Sequence, residues 1–324
     1  MHRSHILLPL LLLIIVASCQ PSSPTTLHRA FYHWKSTIGE NVNDPLNRLG
    51  VEKLYLRVFD IDWDAAYGAP VPVGQLTNPK AIPTVKEIIP TIFITNRTFL
   101  KMEEAGIPEL CSRTLTKLES SLPYWDQVQE VQLDCDWSPN TREKYFNFLA
   151  LFKQQAERRI SATIRLHQIR YPDQTGIPPV DRGMLMFYNM GALESWEETN
   201  SILNIEKARP YLQNKKAYPL PLDLALPIFS WGVVFRNDEM VKLIHKLPEK
   251  ALQDSSRFEQ VSDQRFEVKK STYLEGLYLY RGEYIRLEKI EPEKLAEAVK
   301  LNFPLFKGKT FTLSLYHLDT AFIN

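Results

Sequence analysis

Eight short runs rich in β-branched, leucine and aromatic residues recur along this chain, separated by helical or polar stretches. That alternation limits the folds open to it more than any other feature. The runs lie at 30–34, 53–60, 89–95, 129–135, 160–167, 184–189, 222–230 and 311–317. Helix patterns fall between them at Arg113–Ser121, Thr141–Arg159, Ser201–Tyr211, Asp238–His245 and Pro292–Leu301. The Thr141 helix starts after Ser138-Pro139 and sets Tyr145, Phe148, Leu149 and Phe152 on one face, the spacing of a helix packed on a sheet. Pro292 stands in the first turn of its helix, where a missing N–H costs little. Strands mostly followed by helices predict an α/β fold, a (β/α)8 TIM barrel in preference to an open doubly wound sheet. The stretch 250–290 breaks the rhythm, and Tyr278 to Leu287 reads as a β-hairpin turning at Arg281-Gly282. It is expected as a small insertion between strand 7 and the last helix of a barrel spanning 30–324.

Charge and motif content narrow the partners. Lys and Arg number 39 against 38 Asp and Glu, so the cationic surplus that nucleic acid demands is missing. No GxGxxG or GxxxxGK[ST] loop follows a strand, and no GxSxG elbow is present. The three cysteines form no CxxC or Cys/His ligand set, and no cofactor is expected. Asp60, Asp62 and Asp64 alternate as in a calcium loop, but Ala65 stands where the EF-hand pattern needs glycine. His33, His167 and His317 end three different strands without the His-x-His that introduces barrel metallohydrolases, so hydrogen bonding or substrate contact is the expected role. Cys111 and Cys135 read as core thiols.

The first residues carry an address. After Arg3 an apolar run extends from Ile6 to Ala17, shorter than the roughly 20 residues that span a bilayer, and so reads as a cleaved signal. It ends in Val16-Ala17-Ser18-Cys19, which resembles a bacterial lipobox with Cys19 as the lipidated residue. Residues 19–29 are then a tether, rich in Pro, Ser and Thr from Gln20 to Thr26. Loss of residues 1–18 removes Arg3 and leaves the mature chain formally neutral. Attachment to the cell envelope, at the periplasmic face or cell surface, would therefore fall to lipid and not to a basic patch. The neutral balance fits a largely uncharged, sugar-like ligand.

In a barrel of this kind the site lies at the C-terminal ends of the strands. Those ends carry His33 and Trp34, then Arg57, Asp60 and Asp62, then Asn96, then Gln132, Asp134 and Asp136. Arg165, His167 and Gln168 follow, with Tyr188 and Asn189, Ser230 and Trp231, and finally Tyr316, His317 and Asp319. Aromatics beside carboxylates and amides are the equipment of a sugar site, since pyranose faces stack on rings and hydroxyls need fixed partners. In strand 4 the two-residue period puts Gln132, Asp134, Asp136 and Ser138 on one face and Leu133 and Cys135 on the other. Two carboxylates so close repel, which favours one of them holding a proton near neutral pH.

Leu133-Asp-Cys-Asp-Trp137 resembles the strand-4 signature of glycoside hydrolase family 18, where spaced aspartates lead to a catalytic glutamate. Met186-Phe-Tyr-Asn189 and Leu226-Pro-Ile-Phe-Ser-Trp-Gly232 are similar to its strand-6 and strand-7 segments. More closely, the chain resembles a group of bacterial lipoproteins with the same Asp-x-Asp strand and a Phe-Asp-Ile-Asp-Trp segment. Two departures stand out: the signature's first aspartate aligns with Val131 and its catalytic glutamate with Ser138. A serine hydroxyl cannot protonate a leaving oxygen as that glutamate does.

The resemblance implies a glycoside-hydrolase-like envelope lipoprotein that binds, and in one reading hydrolyses, a polysaccharide or amino-sugar glycan. Asp136 is then the first candidate acid, Asp134, Asp60 and Asp62 the further carboxylates, and Tyr188 a catalytic partner. Trp34, Arg57, Asn96, Gln132, Arg165, His167, Asn189, Trp231, Tyr316 and His317 would hold substrate. The alternative is a non-catalytic glycan-binding or scaffold lipoprotein on a degenerate glycosidase barrel. A partner-assembly protein with a vestigial cleft is the third reading.

Overall fold

The structure, a computed structural model, describes residues 24–39, 42–79, 83–215 and 217–319. Cys19 and the leader before it lie outside the described residues, as does the tether up to residue 23. In chain order the strands are β1 (Thr26–His33), β2 (Lys53–Asp64), β3 (Ala69–Val73), β4 (Glu87–Ile94), β5 (Glu130–Asp134), β6 (Arg159–Arg165), β7 (Arg182–Met186) and β8 (Leu222–Pro227). An insertion supplies β9 (Trp231–Arg236), β10 (Glu239–His245), β11 (Phe258–Ser262), β12 (Arg265–Val268), β13 (Thr272–Leu274), β14 (Leu277–Leu279) and β15 (Tyr284–Glu288). The chain then returns to the barrel in β16 (Thr310–Tyr316). The helices are α1 (Asn43–Arg48), α2 (Asn96–Lys101), α3 (Ile107–Ser121), α4 (Arg142–Ala156), α5 (Leu166–Arg170), α6 (Pro172–Thr175), α7 (Ile205–Leu212) and α8 (Pro292–Asn302).

Parallel pairing runs β1-β2-β4-β5-β6-β7-β8-β16 and closes, because β16 also pairs with β1 from Thr26↔Thr310 to Tyr32↔Tyr316. All eight runs picked out in the sequence are barrel strands, and the α/β (β/α)8 barrel stands. The first strand starts at Thr26 and not at residue 30, taking in the end of the expected tether. β3, Ala-Pro-Val-Pro-Val, pairs antiparallel with the outer end of β2 and leaves its prolines at a sheet edge, where a missing donor is tolerated.

The two-residue period decides what each strand shows to either side. Leu133 on β5, Ile160, Ala162 and Ile164 on β6, and Leu222, Leu224 and Leu226 on β8 face outward into a core shared with Tyr145, Phe148, Leu149 and Phe152 of α4. The intervening positions form a separate interior cluster of Ala30, Tyr32, Tyr55, Ile89, Met184, Met186, Tyr188 and Ala225. Cys111 and Cys135 are free thiols buried in the outer core. Among the described residues no helix is long and apolar enough to cross a membrane.

The insertion is larger than the sequence suggested and occupies 231–288, not 250–290. Its five-stranded antiparallel sheet has the order β10-β9-β15-β12-β11, with β13 and β14 as a separate pair. Asp238–His245, expected as a helix, is mostly strand β10, joined to β9 by the two-residue turn Asn237-Asp238 with both φ positive. Helix-forming residues gave way there because the tight turn returns the chain along a strand whose pairing, and a core of Val234, Ile244 and Leu247, await it. The hairpin expected at Arg281-Gly282 is likewise corrected. A turn is present, but β14 before it pairs with β13, and β15 after it pairs with β9 and β12. The actual hairpin turns at Glu275-Gly276, again with positive φ at both residues.

One buried ion pair fastens this sheet to the barrel. Arg286 is 1% exposed and donates from Nε to Glu288 Oε1 at 2.7 Å and from Nη2 to the Leu193 carbonyl at 2.9 Å, with Nη1 on the Ser195 carbonyl. Glu288 Oε2 accepts from Ser201 N, Ser201 Oγ and Trp231 Nε1 at 2.8, 2.6 and 2.9 Å. With its hydrogen-bonding capacity so largely used, the pair escapes most of the usual penalty for buried charge and fixes both the loop after β7 and the Trp231 indole.

Candidate active site at the barrel mouth

β5 delivers its acids as the alternation requires. Gln132 lies deep in the barrel, accepting from Tyr32 Oη at 2.5 Å and donating to Ser161 Oγ at 3.4 Å. Asp134, one step toward the mouth, accepts from Thr163 Oγ1 at 2.6 Å and is only 6% exposed. Burial pushes its carboxyl up to about 6; Arg165 and Thr163 oppose the rise and Asp136 adds to it. Asp136 lies beyond the strand end, exposed to solvent, and accepts an ion-paired hydrogen bond from Arg165 Nε.

Ser138, aligned with the glutamate of the resemblance, lies in the turn that leads into α4. Its N–H donates to Thr141 Oγ1 at 2.9 Å, and Thr141 Oγ1 in turn lies 2.6 Å from Asn96 Oδ1. Asn96 is thereby drawn into a helix-start network rather than placed against a ligand.

The other acids are engaged by arginines. Arg57 grips Asp60 with two nitrogens, Nε at 2.6 Å from Oδ1 and Nη2 on Oδ2, and donates from Nη1 to the Trp34 carbonyl at 3.2 Å. Gly74 makes room for this pair: a Cβ there would stand 2.1 Å from Arg57 Nη2, and its φ of +57° favours glycine as well. Asp62 is gripped by Arg97 and accepts from Thr95 Oγ1 at 2.7 Å, and Arg97 first, then Thr95, holds its carboxyl below the usual range. Asp62 thus serves the junction of β2 with α2.

Two adjoining clefts open at the mouth, and Asn189 lines both. One, about 460 Å3, is bounded by Asp136, Arg165, His167, Tyr188 and Tyr211. The other, about 350 Å3, is bounded by Trp34, Trp231, Tyr316, His317, Lys35 and Lys246. Asn189 takes a left-handed φ of 53°, which asparagine tolerates better than most residues, and its N–H donates to the Ile202 carbonyl at 2.7 Å. Tyr188 stacks on Tyr316 at 5.1 Å between ring centres, and Phe229 meets both edge-on. Burial pushes both phenols above their ordinary range, so they stay neutral donors. Burial lowers His33 and His317 to about 4, and it lowers His167 as well, with Arg165 adding to the fall. His33 is occupied by the Thr37 carbonyl at 3.0 Å.

Thus Asp136, Arg165, His167, Tyr188 and Asn189 come together with Asp134 buried beneath them, Trp34, Trp231, Tyr316 and His317 form the second wall, and Arg57 with Asp60 flanks Trp34. Asp62 and Asn96 are engaged elsewhere, and Gln132 is buried. Sequence reasoning missed Phe229, Tyr211, Lys35 and Lys246. Lys35 adjoins the singled-out Trp34, but nothing local marks Lys246, which arrives from the end of β10.

The molecule has the fold of several solved hydrolases. The spore cortex-lytic enzyme SleL of Bacillus cereus superposes with a TM-score of 0.60 at 16% identity, over 93% of this chain and 73% of the other. A chitinase from Chromobacterium violaceum gives 0.59 at 12% identity over 91% and 96%, and SleL of Bacillus megaterium 0.55 at 12% over 92% and 72%. The (β/α)8 barrel implied by the sequence is therefore present, and it is a fold shared with a chitinase and with cortex-lytic enzymes. No family model matches the chain, and no curated protein matches it.

Proposed function

We propose that the barrel mouth binds a polysaccharide or amino-sugar glycan and holds it without hydrolysis, on a lipoprotein anchored to the cell envelope through Cys19. The observation that carries this reading is the fate of the acids. Ser138, which the sequence resemblance aligns with the family's glutamate, is tied to Thr141, while Asp136, the acid best placed to replace that glutamate, is engaged by Arg165. A general acid must present a protonated oxygen to the leaving group, and the guanidinium occupies an oxygen that such donation would use. The aromatic walls and the amide of Asn189 remain suited to sugar faces and hydroxyls. The likeness to a chitinase and to cortex-lytic enzymes supports a glycan as the ligand class. A hydrolytic reading is favoured by one feature, the Asp134 carboxyl at about 6, although that group lies beneath the mouth.

The purified mature chain on a glycan array, followed by a reducing-end assay on each ligand retained, separates these readings. Retention without new reducing ends is expected. Product formation that disappears in Asp136→Asn or Asp134→Asn would replace binding by hydrolysis, and failure to retain any glycan would end both. For the anchor, Cys19→Ala in the full-length chain should move the protein from the membrane to the soluble fraction, whereas unchanged membrane fractionation would refute lipidation at that residue.

A further inference from the structure

The second cleft holds charge that the proposed reading does not use. Lys35 Nζ lies 2.9 Å from Asp319 Oδ2, and Lys246 Nζ pairs with the same oxygen. The carboxylate is 5% exposed, whereas both lysine side chains are 41% exposed, so the ammonium groups keep a side open to the cleft they line. The neighbouring ion pairs are matched among themselves, Arg57 with Asp60, Arg165 with Asp136, and Arg286 with Glu288, and Asp134, 6% exposed, does not line this cleft. His33 and His317, lowered to about 4, add no charge at neutral pH. Among the described residues, then, two cations lining the cleft share one anion, and the walls beside them are Trp34, Trp231 and Tyr316.

Lys246 is also set in place by the backbone. Its φ is +57°, a conformation that costs a side-chain-bearing residue about 1 kcal/mol or more and that glycine would adopt freely. The turn is held because Lys246 N–H donates to the Ser230 carbonyl at 3.0 Å and the next residue, Leu247, is 1% exposed. A Cβ on Gly232 would stand 2.4 Å from Leu247 Cδ2, so that leucine fills the space a larger residue would take. A lysine in such a position is delivered to the mouth by the insertion and does not merely range over a surface.

We infer that this cleft takes an acidic sugar, a saccharide whose ring lies against the aromatic wall and whose carboxylate sits between Lys35 and Lys246. The inference rests on the glycan-binding reading and adds the substrate class. Ammonium groups act as compact point charges and suit one carboxylate, without the guanidinium fork that marks bidentate recognition. The carboxylate could belong to the ring, as in a uronic acid, or to a lactyl ether, as in N-acetylmuramic acid.

Calorimetry on the mature chain at low salt tests this with four probes. These are a hyaluronan tetrasaccharide, the N-acetylglucosaminyl-N-acetylmuramic acid disaccharide, and the carboxyl-reduced form of each. At least one acid should bind about tenfold tighter than its reduced form, with the preference shrinking as salt is raised. The acid that does so identifies the source of the carboxylate. Lys246→Met should bring the acid-to-reduced ratio close to one, and Lys35→Met serves the same test if the first variant does not fold. Reduced forms binding as tightly as both acids would overturn the acidic-sugar assignment and leave glycan binding standing. Failure of all four probes and of the array together would overturn the glycan reading and this one with it.

Discussion

Two carboxylates stand inside the same barrel at opposite ends and are treated differently. Asp223, near the start of β8, is 1% exposed and accepts from Arg182 Nη1 at 2.9 Å and from Thr312 N at 2.6 Å, with Tyr55 Oη at 3.5 Å. Asp134, at the end of β5, has the Thr163 hydroxyl as its close donor, and its neighbouring Arg165 is turned to Asp136. Burial raises both carboxyls. The lower acid is compensated by a charge and a backbone donor and serves to close the barrel; the upper one is left near its titration point beneath a cleft. That division matches the general rule that the N-terminal face of such barrels supports stability and the C-terminal face supports function.

The largest effect should come from breaking the lower acid. Asp223→Ala strands the Arg182 guanidinium and the Thr312 N–H, and is expected to cost about 3–5 kcal/mol in denaturant unfolding. A loss below about 1 kcal/mol would mean that the lower acid is no fastening at all.

A smaller, pH-dependent effect belongs to Asp134. Its folded-state carboxyl stands at about 6 against an ordinary 3.8, so between those values the folded protein keeps a proton that the unfolded chain releases. The stability from this group is full below about pH 4 and is lost as pH rises through 6, a change of about 3 kcal/mol. Asp134→Asn should therefore gain on the wild type by about that amount between pH 4 and 7 in urea melts. Thr163→Val removes the hydrogen bond to the carboxylate and should move the titration upward, by an effect of about 1 kcal/mol. A wild-type-minus-variant difference that stays flat with pH would show that burial does not hold the Asp134 carboxyl above its ordinary range.

Much of the barrel was legible because strand alternation is local. Leu133 and Cys135 did turn outward, and Gln132 and Asp134 inward, as the period of two required. The insertion was misread where composition was weighed above turn chemistry. Asn237-Asp238 and Glu275-Gly276 are two-residue hairpin turns, and the first was a readable signal that the run after it folds back as a strand. The site was half legible. Its aromatic and acidic residues could be collected from strand ends, but which arginine engages which acid could not, since Arg97 and Asp62 are 35 residues apart and Arg165 and Asp136 are 29.

The same division runs through the charge. Sequence alone determined the near-neutral total and the barrel, because each depends on composition or on short-range pattern. Tertiary structure alone decided that the balance is uneven, matching Arg165 to Asp136 and Arg57 to Asp60 and bringing Lys246 from the insertion beside Lys35 and Asp319 at the second cleft. Coulomb interactions fall with distance through space and take no account of distance along the chain, so a balance struck over the whole sequence left the local surplus at the mouth unspecified.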